Sequence, residues 1–118
     1  MKDSVGRALL NKRIETIVPH ISGNLLDIGC GNGTFLLKVA EEHNIPMHGV
    51  SLSEEQTKVA REKQKEKNLD NANIKFEVKD FKDIKNKKYS KIISIGQFEH
   101  QNSMHYKQYF EKIYELLK

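Results

Sequence analysis

From Asn24 to Gly33 the chain reads Asn-Leu-Leu-Asp-Ile-Gly-Cys-Gly-Asn-Gly, an apolar run with an acid near its end and three glycines in five positions. A short buried strand over Asn24 to Ile28, a turn over Gly29 to Gly33 and a helix over about Thr34 to His43 satisfy this pattern. Glycine tolerates positive φ and lets the backbone approach a ligand closely, and the first amides of the helix offer donors to an anionic group. Asp27 is suited to accept hydrogen bonds or to hold a cationic amine. The alternative is a tight turn in which Asp27 bonds its own backbone.

The rest of the chain alternates in the same way. Leu10, Ile14, Ile17 and Val18 recur at helical spacing, so a first helix is expected over about Ser4 to Val18, ended by Pro19. After Pro46, Met47 to Leu52 is the second strand. Ser53-Glu54-Glu55-Gln56 matches the capping-box pattern and starts a helix to about Asn68, with a narrow apolar contact through Val59 and Ala60. Ile74, Phe76 and Val78 alternate with charged residues, as in a half-buried strand. Ile92, Ile93 and Ile95 form a denser run, as in a strand covered on both faces. A last helix is expected over about Ser103 to Leu117, with Tyr106, Tyr109, Phe110, Ile113 and Leu117 at helical spacing. Strands alternating with helices imply an α/β fold: a parallel sheet with right-handed crossovers and helices on both faces, binding ligands beyond the carboxyl ends of its strands.

At 118 residues the chain is sized for one domain, spanning 1–118. Its 37% hydrophobic and 31% charged residues fit a globular protein. No apolar block has the length of a signal peptide or a membrane span, and the expected location is cytoplasmic. Cys30 is the only cysteine, which excludes an intrachain disulfide and a thiolate zinc cluster. It is expected to pack as a small residue rather than act as a nucleophile. The net charge of +4 comes from lysines that alternate with acids over Lys58 to Lys67 or surround a turn over Lys82 to Lys91. Solvated faces account for them, and no nucleic-acid partner is expected.

A dinucleotide site competes for the glycine turn. Its fingerprint wants glycine where Thr34 stands and an acid about 20 residues later, near where Ser51 stands. The chain instead resembles the class I S-adenosylmethionine-dependent methyltransferases over nearly its whole length. Asp27 to Gly33, including Gly29, Cys30 and Gly31, is similar to their first motif, which holds the methionine part of the cofactor. Gly49-Val50-Ser51-Leu52-Ser53-Glu54-Glu55-Gln56 resembles the cyclopropane fatty acid synthase branch and its relatives, among them some plant alkaloid N-methyltransferases. The resemblance implies cofactor contacts from Ser51 and Leu52 and a ribose bond from Gln56, whose amide is equally suited to the capping box. Lys79-Asp80-Phe81 resembles the segment that reads adenine: Asp80 would accept from the exocyclic amine and Phe81 would offer its backbone N–H or its ring. The alternative is Asp80 as the cap of a short helix.

Ile95-Gly96-Gln97-Phe98-Glu99-His100 resembles the branch's Phe-Glu-His signature. The resemblance places Gly96 at the cofactor and Glu99 in the reaction centre, which in the synthases helps to hold a bicarbonate base, with His100 beside it. Both residues are alternatively caps of the final helix. The implied reaction is methyl transfer from S-adenosylmethionine to a small-molecule or lipid acceptor, with no metal. The resembling fold is Rossmann-like, with seven strands in the order 3-2-1-4-5-7-6. Four are found here, giving order 3-2-1-4 and a cofactor-binding half that lacks the acceptor side. An open edge at the fourth strand would invite a homodimer or a partner chain, and a binding module without turnover is the alternative function.

Overall fold

The computed structural model describes residues 23–69, 73–94 and 106–118, together with Lys12. Most of the expected first helix lies outside the described residues, as do Gly96, Glu99, His100 and the expected start of the last helix. Strands β1 (Leu25–Ile28), β2 (Met47–Ser51), β3 (Ile74–Val78) and β4 (Lys91–Ser94) form one parallel sheet in the expected order β3-β2-β1-β4. Helices α1 (Thr34–Glu42) and α2 (Glu54–Glu66) fill the first two crossovers, a 3-10 turn (Phe81–Asp83) follows β3, and α3 (Tyr106–Leu116) comes last.

Every residue of β1 and β2 is buried, which explains why neither strand alternates in sequence. On one face Leu25, Met47, Phe76 and Ile93 pack with Phe35, Leu36 and Val39 of α1 and Ala60 of α2. On the other, Leu26, Ile28 and Val50 pack with Phe81, Ile84 and Tyr89, and with Tyr109 and Leu116 of α3. The narrow contact of α2 is made by Thr57 and Ala60, whereas Val59 is only half-buried. Thr57 can be buried because its hydroxyl donates to the Ser53 carbonyl at 2.9 Å. The buried stripe of α3 runs through Tyr109 and Leu116, leaving Phe110 exposed.

The outer strands depart from expectation because each has one neighbour among the described residues. Val78, expected inward, is 40% exposed at the end of β3. In β4 only Ile93 is buried, while Lys91, Ile92 and Ser94 are half-buried. Arg61 donates two hydrogen bonds to the Phe76 carbonyl, at 2.8 and 3.2 Å, and so blunts the β3 edge.

Towards the amino end of β2 the sheet buries His48. Its Nδ1 lies 2.6 Å from the Tyr89 hydroxyl and its Nε2 lies 2.9 Å from Glu77 Oε1. Burial holds the imidazole pKa below its ordinary value, even though the Glu77 carboxylate pulls the other way. A neutral ring between these partners has one consistent assignment: Nε2–H donates to Glu77, and Nδ1 accepts from the Tyr89 hydroxyl. Tyr89 also binds α3, its amide donating to the Leu116 carbonyl at 2.7 Å.

Candidate functional site

The carboxyl ends of β1, β2 and β3 meet around a cleft of about 180 Å³. Gly29, Ser51, Leu52, Asp80 and Phe81 all line it, so five of the residues singled out in the sequence come together there. Asp27, Gly31 and Gln56 lie beside these residues at the same end of the sheet without lining the cleft.

The turn after β1 is held by the sheet itself. The amides of Gly29 and Cys30 both donate to the Val50 carbonyl, at 2.8 and 3.1 Å, and the Gly33 amide donates to the Cys30 carbonyl at 3.0 Å. Gly29, Gly31 and Gly33 all have positive φ. Their roles differ. A Cβ on Gly33 would lie 2.8 Å from the Phe76 ring and 2.9 Å from Ala60, so this glycine serves close packing of α1 and α2 on the sheet. Among the described residues a Cβ on Gly31 would meet only the Gln56 side chain, at 3.9 Å, so the space over its backbone is open to a ligand. Gly33 is also the N-cap of α1 and, as a glycine, brings no side chain to cap the helix's first amides.

Asp27 is 3% exposed, on the face of β1 that it shares with Gly49 and Ile93. Burial alone pushes its pKa up to about 7, with no cation or hydrogen-bond donor among the described residues to offset the desolvation. The alternative in which Asp27 bonds its own turn is not seen, and the amides of Gly29, Cys30 and Gly33 go instead to the Val50 and Cys30 carbonyls. Cys30 keeps its thiol inward, near Gly49 and 3.8 Å from the Gly31 carbonyl. Burial, then the nearby Asp27, pushes that thiol up to about 12, so it stays protonated and is no nucleophile.

At β2, Ser51 is buried and its hydroxyl accepts from the Ser53 amide at 3.1 Å, while Leu52 stands 66% exposed at the cleft. Ser53 caps α2 by accepting from the Gln56 amide at 3.1 Å. The reciprocal bond from the Gln56 side chain is absent, and its carboxamide points at Gly31. At β3, Asp80 Oδ1 caps the 3-10 turn by accepting from the Lys82 amide at 3.0 Å. The Phe81 ring is buried edge-on against Tyr109, with centroids 5.1 Å apart, so Phe81 can offer the cleft its backbone but not its ring face.

A family model for mycolic acid cyclopropane synthetase matches residues 14–118. The chain belongs to that family. Among the relatives of this cyclopropane synthetase family member, the cyclopropane-fatty-acyl-phospholipid synthase of Escherichia coli (strain K12) is 32% identical over 116 residues, covering 98% of this chain and 29% of the relative. A probable fatty acid methyltransferase of Pseudomonas putida is 31% identical over 91 residues, covering 76% of this chain and 23% of the relative. The chain thus spans less than a third of the length of these relatives. The crystal structure of coclaurine N-methyltransferase bound to N-methylheliamine and SAH superposes with a TM-score of 0.81 at 27% identity, over 94% of this chain and 32% of that one. The sheet order and flanking helices are those of the Rossmann-like class I methyltransferase fold.

Some residues at this family member's site were given no individual role from the sequence. Lys82 lines the cleft and reads in sequence as one more surface lysine, and Lys79, quoted there only as the neighbour of Asp80 and Phe81, lines it as well. Gly49 lies level with Asp27, where a Cβ would come within 2.8 Å of Leu36 and 3.0 Å of Cys30 and Phe76. A glycine inside a strand is the signal that could have marked it.

Proposed function

We propose that this chain is the cofactor-binding half of an S-adenosylmethionine-dependent methyltransferase acting on a lipid or small-molecule acceptor. The observation that carries the reading is Asp27, a buried carboxyl without a partner among the described residues, beside an open glycine turn. A cationic α-amine supplies the charge that Asp27 lacks, and the open backbone at Gly31 admits the methionine part. Gln56 faces Gly31 and can hold ribose hydroxyls. Leu52 and the Phe81 backbone offer a wall and a donor to adenine, and the second oxygen of Asp80 is left to accept from its amine. The residues present fit that cofactor, whose sulfonium supplies an activated methyl group when bound.

The protein's part is to position the acceptor in line with that methyl group and to steady charge there. Glu99, with Gly96 and His100 near it in sequence, takes this part by resemblance to the synthases' reaction centre. The same reading places the protein in the cytoplasm, and among the described residues no helix is long and apolar enough to cross a membrane. The outer edge of β4 has no partner among the described residues, which favours pairing with a further strand, from a second copy or a partner chain, and keeps open a second reading as a binding module without turnover.

Calorimetric titration with S-adenosylmethionine, followed by assays for S-adenosylhomocysteine release with lipid and amine acceptors, tests the reading. Binding with turnover supports the methyltransferase, binding without turnover supports the module, and no binding refutes both. In the active form, Glu99→Gln should slow single-turnover methyl transfer while leaving cofactor affinity unchanged. Equal rates would remove Glu99 from the reaction.

A further inference from the structure

At the start of α2 two acceptors compete for one donor. Ser53 completes the first half of a capping box by accepting from the Gln56 amide. In the second half of that motif, the side chain at Gln56 would accept from the Ser53 N–H. Here the Ser51 hydroxyl takes that N–H at 3.1 Å, the side-chain turn that serine forms with the amide two residues on. Ser51 is 6% exposed and sits at the last position of β2, paired with Val78, so its hydroxyl is held by the sheet rather than by the loop. Gln56 is exposed, and its amide nitrogen and oxygen lie 3.9 and 4.0 Å from where a Gly31 Cβ would stand.

We propose that Ser51 is a positioning residue: by occupying the Ser53 N–H it keeps the Gln56 carboxamide out of the capping box and over Gly31, where it meets the ribose hydroxyls of an adenosyl ligand. The proposal rests on the cofactor reading above. It changes how Ser51 contributes, because the hydroxyl works through Gln56 and helix capping rather than by its own contact. Without that hydroxyl the Ser53 amide lacks its acceptor, and the Gln56 oxygen is the replacement that the capping-box register provides.

The test is titration of S-adenosylhomocysteine into the parent chain and the variants Ser51→Ala, Ser51→Thr, Gln56→Ala and the Ser51→Ala/Gln56→Ala double. Gln56→Ala should weaken binding roughly tenfold, the scale of one or two lost hydrogen bonds. Ser51→Ala should weaken it by a similar factor, and Ser51→Thr, which keeps the acceptor, should bind like the parent. The double variant should be no weaker than Gln56→Ala alone. A second measurement needs no ligand: the NMR scalar coupling across a hydrogen bond from the Ser53 amide nitrogen to the Gln56 side-chain carbonyl should be absent in the parent and present in Ser51→Ala. Parent-level binding by Gln56→Ala overturns the ribose contact on which the proposal rests. Weakened binding by Gln56→Ala, together with no coupling in Ser51→Ala or with losses that multiply in the double variant, overturns the positioning role alone.

Discussion

The two faces of the central strands, one rung apart, treat a buried ionisable group in opposite ways. On one face, His48 is enclosed and fully bonded, with Tyr89 on one ring nitrogen and Glu77 on the other. On the other face, Asp27 is enclosed more completely and has nothing among the described residues to offset its burial. A satisfied buried network ties elements together, here β2 and β3 to the segment that carries α3. An unsatisfied buried carboxyl costs stability, and folding alone gives no reason to retain it. The difference separates a fastener from a binding group, although both are polar residues in apolar strands of one sheet.

The largest effect that can break this comparison is expected at the fastener. His48→Ala strands the Tyr89 hydroxyl and the Glu77 carboxylate and opens a cavity, and should cost about 3 kcal/mol of stability. Denaturant unfolding measures this, and cofactor affinity should be nearly unchanged under conditions where the variant is folded. A loss below about 1 kcal/mol would mean that the network is not a fastener.

Asp27→Asn should do the reverse. Losing one charge-assisted interaction with a cationic amine should weaken cofactor binding by about 100-fold. Folding stability should rise at pH 8. The sign follows from the pKa: the folded carboxyl titrates at about 7, above its ordinary value of 3.8, so the folded chain binds the proton more tightly than the unfolded one. Stability therefore falls as pH rises from about 3.8 to about 7, and asparagine removes that loss. Thermal melts of parent and variant should differ most at pH 8 and approach each other towards pH 5. A variant less stable than the parent at pH 8 would show that Asp27 has a structural partner.

Much of this arrangement was legible in the residues, and what was not has identifiable causes. The strand, turn and helix from Leu25 to Glu42 could be read because a continuous apolar run needs two covered faces and three glycines need a turn. The depth of Asp27 could not be read, since burial depends on Gly49 and Ile93 from other strands. The capping-box pattern at Ser53 to Gln56 was half realised because a side chain outside the motif, Ser51, takes the donor. Periodicity placed the end of α3 to within a residue but spread its apolar stripe to Phe110, which stands exposed. Val59 lost its expected place to Thr57, whose hydroxyl found a backbone carbonyl. Glu99 and His100, known through the resemblance of a short motif, lie outside the described residues.

The most direct test of the account is the pH dependence of S-adenosylhomocysteine binding, measured by calorimetry in buffers of different ionisation enthalpy. If the amine meets a carboxyl that titrates at about 7 in the ligand-free chain, binding must ionise it. Release of close to one proton per ligand is expected at pH 5.5, declining to almost none above pH 8. Affinity should rise by up to about tenfold per pH unit below 7 and then level off. In Asp27→Asn both the proton release and the rise should vanish. Equal affinity at pH 5.5 and pH 8 with no proton release, in a parent chain that binds the ligand, would contradict the claim that Asp27 is the group awaiting the cofactor.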